Sequence, residues 1–155
     1  MRKLKNCAKA FPFRINMQWI SSNENNTEKI GGAIAQKLHS GDILLLQGSL
    51  GAGKTTLTKA IAHALGIDKN ITSPTFTLMN VYDIADEKIK QRNIEQIVHI
   101  DTYRLKNEQE LIDIGVEDYL GVEATICIIE WPEKIPNILK SYKTILVQLE
   151  HTDEN

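Results

Sequence analysis

The sequence predicts an α/β fold of three layers, with a mostly parallel central sheet flanked by helices. Two patterns lead to this class. Short apolar runs alternate along the chain with segments whose apolar residues recur at helical spacing, and polar or glycine-containing turns separate them. Strands separated by helices favour parallel pairing, because each helix carries the chain back across the sheet. In such folds ligands bind at the carboxyl ends of the strands, so functional residues are expected there.

Each element is predicted from the spacing of its apolar residues and from the turn residues at its ends. Apolar runs predict strands over residues 16–20, 42–47, 75–82, 97–101, 125–130 and 144–149. Apolar residues at helical spacing predict helices that end at Gly41 and Gly66, and the capping residues at 107–110 predict a short helix that ends at Gly115. The first helix follows the polar run 21–26, and the polar stretch 83–93 is predicted to be a turn.

We expect one domain, residues 16–155, preceded by a basic N-terminal extension, residues 1–15. A length of 155 residues suits a single domain, and 42% hydrophobic with 25% charged residues is ordinary for a globular protein. The extension is rich in lysine and arginine but lacks the apolar core of a signal peptide, and no segment is apolar enough to span a membrane. We therefore expect a cytoplasmic protein.

Charge and cysteine content argue against several classes of protein. A net charge of −2 and a pI near 6.1 argue against binding of nucleic acid over the whole surface, since such binding needs many lysine and arginine contacts to phosphate. The two cysteines are Cys7 and Cys127, and Cys127 lies in an apolar run where a small buried side chain is expected. Neither a disulfide framework nor a zinc site is implied.

A complete phosphate-binding loop follows the strand predicted over residues 42–47. Its pattern, G-x-x-x-x-G-K-[ST], is matched by Gly48, Ser49, Leu50, Gly51, Ala52, Gly53, Lys54 and Thr55. The glycines allow backbone N–H groups to turn toward phosphate oxygens, and the positive end of the following helix points at them. Lys54 is expected to reach the β- and γ-phosphates and the Thr55 hydroxyl to ligate Mg²⁺. The loop therefore predicts binding of a nucleoside triphosphate.

Two apolar strands end in an acidic residue. Asp101 closes the strand over 97–101, and Glu130 closes the strand over 125–130. A carboxylate at that edge of the sheet, near the phosphate loop, could hold Mg²⁺ or orient the water that attacks the γ-phosphate, and the pattern leaves open which acid does which. His99 shares a face with Asp101. It could touch nucleotide or metal, or be a hydrogen-bonded structural histidine.

Five segments, taken in order, resemble the TsaE family of P-loop NTPases. They are GSLGAGKTT at 48–56, SPTFTL at 73–78, HIDTYRL at 99–105, GVEDYL at 115–120 and IEWPE at 129–133. The resemblance runs from about residue 17 to residue 149. This family is the bacterial ATPase subunit needed to make threonylcarbamoyladenosine in tRNA.

The resemblance implies an ATP-binding, Mg²⁺-dependent ATPase that is slow alone and stimulated by partner proteins. Those partners would be TsaD and TsaB, whose complex transfers the threonylcarbamoyl group onto adenosine 37 of tRNA. Contact with tRNA would be indirect, through that complex, and ATP turnover would reset the complex between rounds.

The resemblance also implies roles for individual residues. Thr55 and Glu130 look like the Mg²⁺ ligands, and Asp101 looks like the carboxylate essential for hydrolysis, acting with Lys54. The implied nucleotide-binding residues are Gly48, Ser49, Leu50, Gly51, Ala52, Gly53, Lys54, Thr55, Thr56, Glu24, Thr75 and Trp131. Glu24 belongs to the segment 23–27, expected to line the adenine side. Thr75 belongs to a switch segment, 73–76, and Trp131 to a nucleotide-responsive rim.

Three departures from the family pattern are visible. Ser49 stands where members usually have aspartate, and Val81 replaces a common acidic residue. Members usually continue past the equivalent of Leu149 through an arginine into a last strand, whereas this chain stops at Asn155. We expect the phosphate contacts to be unaffected and the adenine pocket to be more open.

Three other classes share the phosphate loop. A small kinase closes a lid carrying several arginines over the phosphates, and after Lys54 this chain has only Arg92 and Arg104. A regulatory GTPase needs a guanine-reading Asn-Lys-x-Asp, which the sequence lacks. A nucleotide-dependent binding module without significant turnover differs from a slow ATPase only in degree.

Overall fold

The structure, a computed structural model, describes residues 2–5 and 18–151, with side chains described from residue 18 onward. These residues form a seven-stranded sheet from β1 (Arg2–Lys5), β2 (Gln18–Ser21), β3 (Ile43–Gly48), β4 (Met79–Asp83), β5 (Ile94–Asp101), β6 (Ala124–Glu130) and β7 (Thr144–His151). The strands lie in the order β2-β1-β7-β3-β6-β5-β4. The four strands β7, β3, β6 and β5 run parallel, whereas β1 and β4 pair antiparallel with their neighbours.

The helices are two long ones and several short ones. They are α1 (Glu24–Ala35), α2 (Lys54–Ala64), α3 (Glu87–Lys90), α4 (Gln109–Asp113) and α5 (Pro136–Leu139), with single 3₁₀ turns at Val116–Asp118 and Pro132–Lys134. None of the helices in the described part of the chain is long and apolar enough to cross a membrane.

The central strand β3 is apolar and buried from Ile43 to Leu46 because both of its faces are covered there. Leu44 and Leu46 pack with α1 and α2 on one face, and Ile43 and Leu45 pack on the other face with α4, α5 and the 3₁₀ turns. A parallel strand covered on both sides needs apolar residues at every position rather than at alternate ones. The three-layer α/β fold predicted from the sequence is confirmed.

Part of the N-terminal extension expected over residues 1–15, Arg2–Lys5, forms a strand of the sheet. These residues form β1, which lies inside the sheet, and its register pairs Arg2 with His151 and with Ser21. Backbone hydrogen bonds alone can hold such a strand, so it forms without the β-branched and aromatic residues that mark strands in a sequence. Residues 6–15 lie outside the described residues.

Two predicted elements are shorter than expected. The first helix ends at Ala35 rather than Gly41, because Arg92 Nη2 donates to the carbonyl oxygens of Ala35 (2.9 Å) and Leu38 (2.7 Å) and so satisfies the helix end. The strand predicted over 75–82 begins only at Met79. Before it the chain turns, with the Leu78 N–H donating to the Pro74 carbonyl at 2.6 Å.

Candidate functional site

The loop over residues 48–53 connects β3 to α2 at the carboxyl edge of the parallel strands. Gly51 and Gly53 have φ angles of +79° and +93°, where glycine is favoured. Gly48 lies tightly against β7, since a Cβ added there would be 2.4 Å from the Leu149 carbonyl oxygen. The 11-residue helix α2 begins at Lys54, so its N–H groups and positive end face the loop. The glycines of the motif are therefore each required by the conformation of this loop.

The Lys54 side chain is buried at the mouth of the loop. Its Nζ donates to the carbonyl oxygens of Gly48 (2.7 Å) and Ser49 (2.9 Å) and lies 3.6 Å from the centre of the Trp131 ring. Burial lowers the pKa of this ammonium below its usual 10.5, while the charges of Glu130, Glu133 and Asp101 oppose the shift. Among the described residues the direct contacts of the ammonium are two carbonyls and a ring rather than a carboxylate, so this buried cation is well suited to receive an anionic ligand.

Glu130 is almost wholly buried and accepts hydrogen bonds from two directions. Thr55 Oγ1 donates to its Oε2 at 3.0 Å, and Thr58 Oγ1 lies 3.4 Å from its Oε1. From β5, His99 Nε2 lies 2.8 Å from the same Oε1. The first turn of α2 and the neighbouring strand β5 thus fix this carboxylate beside the Thr55 hydroxyl.

Asp101 lies at the end of β5, opposite Glu130 in the register of β5 and β6. Its Oδ2 accepts hydrogen bonds from Ser73 Oγ and from Thr75 Oγ1, the latter at 2.8 Å, and its Oδ1 accepts from the Tyr103 backbone N–H at 2.9 Å. The switch segment predicted over 73–76 is therefore joined to Asp101 by two hydroxyls. These hydrogen bonds also explain why the strand predicted from residue 75 begins only at Met79.

The aromatic rim consists of Trp131 and Tyr103, whose ring centres lie 4.9 Å apart. Trp131 has a φ of +62°, and Thr102 Oγ1 holds this turn by donating to the carbonyl oxygens of Trp131 (2.7 Å) and Glu130 (3.1 Å). The turn directs the indole over Lys54. Trp131 consequently lies where the binding of phosphate at Lys54 would alter its surroundings.

These groups surround one cleft of about 290 Å³. It is lined by Leu50, Gly51, Gly53, Lys54, Thr55, Thr56, Ser73, Thr75, Asp101, Tyr103, Glu130 and Trp131. Most of the residues implicated by sequence therefore meet in one place. Gly48, Ser49 and Ala52 belong to the loop without lining the cleft, and Glu24 lies exposed at the start of α1, outside the lining.

Two residues at or beside the cleft, Tyr103 and Thr58, had no role in the sequence analysis, and the role of His99 was left open there. Tyr103 lines the cleft, and Thr58 and His99 contact Glu130. Thr58 could have been found from its spacing, since it lies three residues after Thr55 on the same face of α2. The side-chain contact between β5 and β6 that engages His99 has no signal in the local sequence.

The chemistry of the cleft suits a phosphate ester and a hard cation. Lys54 and the end of α2 offer positive charge, and the Thr55 hydroxyl with the Glu130 carboxylate offers the oxygen ligands that Mg²⁺ prefers. Among the described residues no group of three or more histidine, cysteine, aspartate and glutamate side chains could hold a metal by itself. Mg²⁺ does not need such a group, because it is commonly bound by one or two protein ligands together with phosphates and waters.

Comparison with known proteins places this chain among close relatives. The family model for threonylcarbamoyl adenosine biosynthesis protein TsaE matches residues 21–155. Proteins named tRNA threonylcarbamoyladenosine biosynthesis protein TsaE match from Treponema pallidum, at 35% identity over 86% of this chain and 90% of the relative, and from Rickettsia felis, at 41% identity over 88% and 74%.

A solved structure also matches. The crystal structure of YdiB from Bacillus subtilis superposes with a TM-score of 0.65 at 28% identity, covering 88% of this chain and 78% of the other. The match in sequence extends over most of both chains, and the resemblance noted in the sequence is confirmed. On these grounds the chain belongs to the TsaE family.

Proposed function

We propose that this chain binds ATP with Mg²⁺, hydrolyses it slowly, and acts on the TsaD–TsaB complex in the biosynthesis of threonylcarbamoyladenosine at position 37 of tRNA. The observation that supports this most strongly is the convergence of Lys54, Thr55, Asp101 and Glu130 on one cleft behind a phosphate-binding loop. The names of the relatives support the pathway, because each is a tRNA threonylcarbamoyladenosine biosynthesis protein.

Nucleotide binding would use the loop and Lys54. The loop N–H groups and the Lys54 ammonium would bind the phosphates. To do so, Lys54 would give up its hydrogen bonds to the carbonyl oxygens of Gly48 and Ser49. Thr55 and Glu130 would hold Mg²⁺, whose chemistry would be to offset charge on the phosphate oxygens. The absence of a side chain at Gly48 supports this arrangement, since a Cβ there would displace the loop from β7.

Hydrolysis would depend on Asp101. Its carboxylate lines the same cleft as Lys54 and would accept a hydrogen bond from a water molecule and orient it toward the terminal phosphate. Ser73 and Thr75 now donate to Oδ2 of this carboxylate. Rearrangement of segment 73–76 would therefore change how many lone pairs Asp101 can offer to water.

A partner surface would surround the cleft. Leu50, Phe76 and Tyr103 expose 71%, 83% and 40% of their surfaces at or beside its rim. Large apolar side chains this exposed are typical of surfaces that another protein covers. Their position supports a partner, TsaD–TsaB, that senses the nucleotide directly.

The kinase alternative has little support. Arg92 is engaged at the end of α1, and among residues 18–151 only Arg104, stacked 4.3 Å from the Phe76 ring centre, lies near the cleft. A lid built on several arginines is thus not present in this part of the chain. The binding-module alternative shares all the contacts above and differs only in turnover.

The test is to measure ATP affinity and phosphate release for the wild type and for Asp101→Ala, with Mg²⁺ and with EDTA. We expect Mg²⁺-dependent release by the wild type and about 10²- to 10⁴-fold slower release by the variant, with ATP binding retained. Equal release by both proteins would remove the role of Asp101. Tight binding without release by the wild type, even with the partners added, would favour the binding module, and transfer of phosphate to an added acceptor would favour a kinase.

A further inference from the structure

His99 is the buried residue at this site for which the proposed function gives no role. Its side chain is wholly inaccessible to solvent. Nε2 lies 2.8 Å from Glu130 Oε1, while Nδ1 is buried without a hydrogen-bond partner among the described residues. A hydrogen bond from the imidazole to a carboxylate oxygen at this distance requires the proton on Nε2, and the imidazole then uses one of its two nitrogens. That one hydrogen bond is directed at a residue of the cleft.

The two oxygens of Glu130 have different surroundings. Oε1 is held from the interior by His99, with Thr58 Oγ1 at 3.4 Å, and Oε2 accepts from Thr55 on the cleft side. With Oε1 engaged by a donor fixed in the sheet, rotation of the carboxylate about its last bond is restrained. Oε2, the oxygen beside the Thr55 hydroxyl, is therefore the one that stays directed at the cleft.

The sheet fixes the position of this donor. β5 and β6 are parallel, and Glu130 pairs with Asp101 while His99 pairs with Ile128, two positions earlier on the same face. The imidazole spans this diagonal from one strand to the next. Since both ends belong to buried strands, the donor cannot move without displacing the sheet.

We propose that His99 is a positioning residue, whose Nε2–H holds Oε1 of Glu130 so that Oε2 stays directed at the divalent cation site beside Thr55. The inference rests on the proposed Mg²⁺ dependence of this chain. Hydrogen-bond partners of metal-binding carboxylates contribute to affinity by orienting the ligand, and their loss typically costs about 10- to 100-fold in metal affinity. A histidine that served only the core would affect stability and leave the metal affinity of the folded protein unchanged.

Two amide substitutions separate these roles. In His99→Gln the amide nitrogen is as many bonds from Cβ as Nε2 is, so it can donate to Glu130. In His99→Asn the same amide is one bond shorter, and its nitrogen corresponds to Nδ1, the atom that has no partner here. Both variants remove the ring, so both lose its packing, but only glutamine keeps the donor.

The experiment is to measure Mn²⁺ affinity by electron paramagnetic resonance in the presence of a non-hydrolysable ATP analogue, together with the thermal stability of each variant. We expect His99→Asn to weaken Mn²⁺ binding by about 10- to 100-fold and His99→Gln to restore most of it, whatever their melting temperatures. Equal affinities in the two variants, or wild-type affinity in both, would overturn the inference. Failure of the wild type to bind Mn²⁺ with the analogue would instead contradict the proposed function.

A second measurement does not depend on whether a variant of His99 folds. Long-range ¹H–¹⁵N spectra of the wild type report the tautomer of each histidine, and the other three, His39, His63 and His151, are exposed and can be replaced to assign the signal. The inference requires the Nε2–H tautomer at His99. A proton found on Nδ1 would contradict it, since Nε2 could then not donate to Glu130.

Discussion

The ammonium of Lys54 lies 3.6 Å from the centre of the Trp131 ring, while its protons are donated to the Gly48 and Ser49 carbonyls. The contact joins the residue expected to bind phosphate to the residue that follows β6. A cation over an indole face is stabilised by the ring's quadrupole, at about 0.5 to 2 kcal/mol depending on exposure. Phosphate oxygens would compete with these partners for Lys54, so Trp131 should report nucleotide binding.

We predict that ATP changes the fluorescence of Trp131. The chain has two tryptophans, and Trp19→Phe leaves Trp131 alone, so emission of this variant should shift as Lys54 moves from the ring toward phosphate. The control is Trp131→Phe, in which Trp19 remains and no ATP-dependent change is expected. A response that persists in Trp131→Phe and disappears in Trp19→Phe would show that the Lys54–Trp131 contact is unrelated to the nucleotide.

We predict that ATP affinity begins to fall at a lower pH than it would if Lys54 had the ordinary pKa of lysine. Burial lowers the pKa of Lys54, and the neutral amine attracts phosphate less. Isothermal titration calorimetry between about pH 7 and pH 10 should show the decrease. Any affinity kept by Lys54→Arg should not fall over this range, because arginine stays charged. A wild-type affinity that stays constant up to the ordinary pKa of lysine would contradict this account.

The lowered pKa of Lys54 makes the stability of the protein change with pH in the opposite direction to its ATP affinity. Between the lowered pKa and 10.5 the unfolded chain binds more protons at Lys54 than the folded chain does. The contribution of this residue to the free energy of unfolding of the protein without nucleotide therefore rises with pH in that window. Urea unfolding of the wild type and Lys54→Met at several pH values measures the difference. A contribution that fell with pH would mean that the folded state raises this pKa.

We predict that two adjacent glycines of α1 respond oppositely to alanine. A Cβ at Gly31 would lie 2.5 Å from the Ala60 Cβ on α2, whereas a Cβ at Gly32 would meet nothing within 4 Å. Gly31→Ala should lower the free energy of unfolding by about 1 to 3 kcal/mol through overpacking. Gly32→Ala should raise it by about 0.5 to 1 kcal/mol through the lower entropy of its unfolded state. Equal effects in urea unfolding would show that α1 and α2 do not pack this closely.

Much of the cleft could be predicted from the sequence because its parts are local. A phosphate loop is contiguous, and Asp101 and Glu130 each close an apolar run, so the rule that ligands bind at strand ends brings them together. The register of β5 and β6 then pairs these two residues directly.

The remaining contacts depend on residues distant in sequence. The first helix is shortened by Arg92, which lies 57 positions after Ala35. Segment 73–76 does not join the sheet because its hydroxyls donate hydrogen bonds to Asp101. Strand β1 is held by backbone pairing, for which its side chains give no strand pattern in the sequence. In each case a tertiary hydrogen bond outweighed the local pattern.

The most direct test of the proposed function is ATP hydrolysis by the purified chain alone and with added TsaD and TsaB proteins, each with and without Mg²⁺. Slow Mg²⁺-dependent hydrolysis by the chain alone and strong stimulation by the partners are the predicted results. Hydrolysis that is indifferent to TsaD and TsaB would contradict the account and leave an ATPase that acts elsewhere.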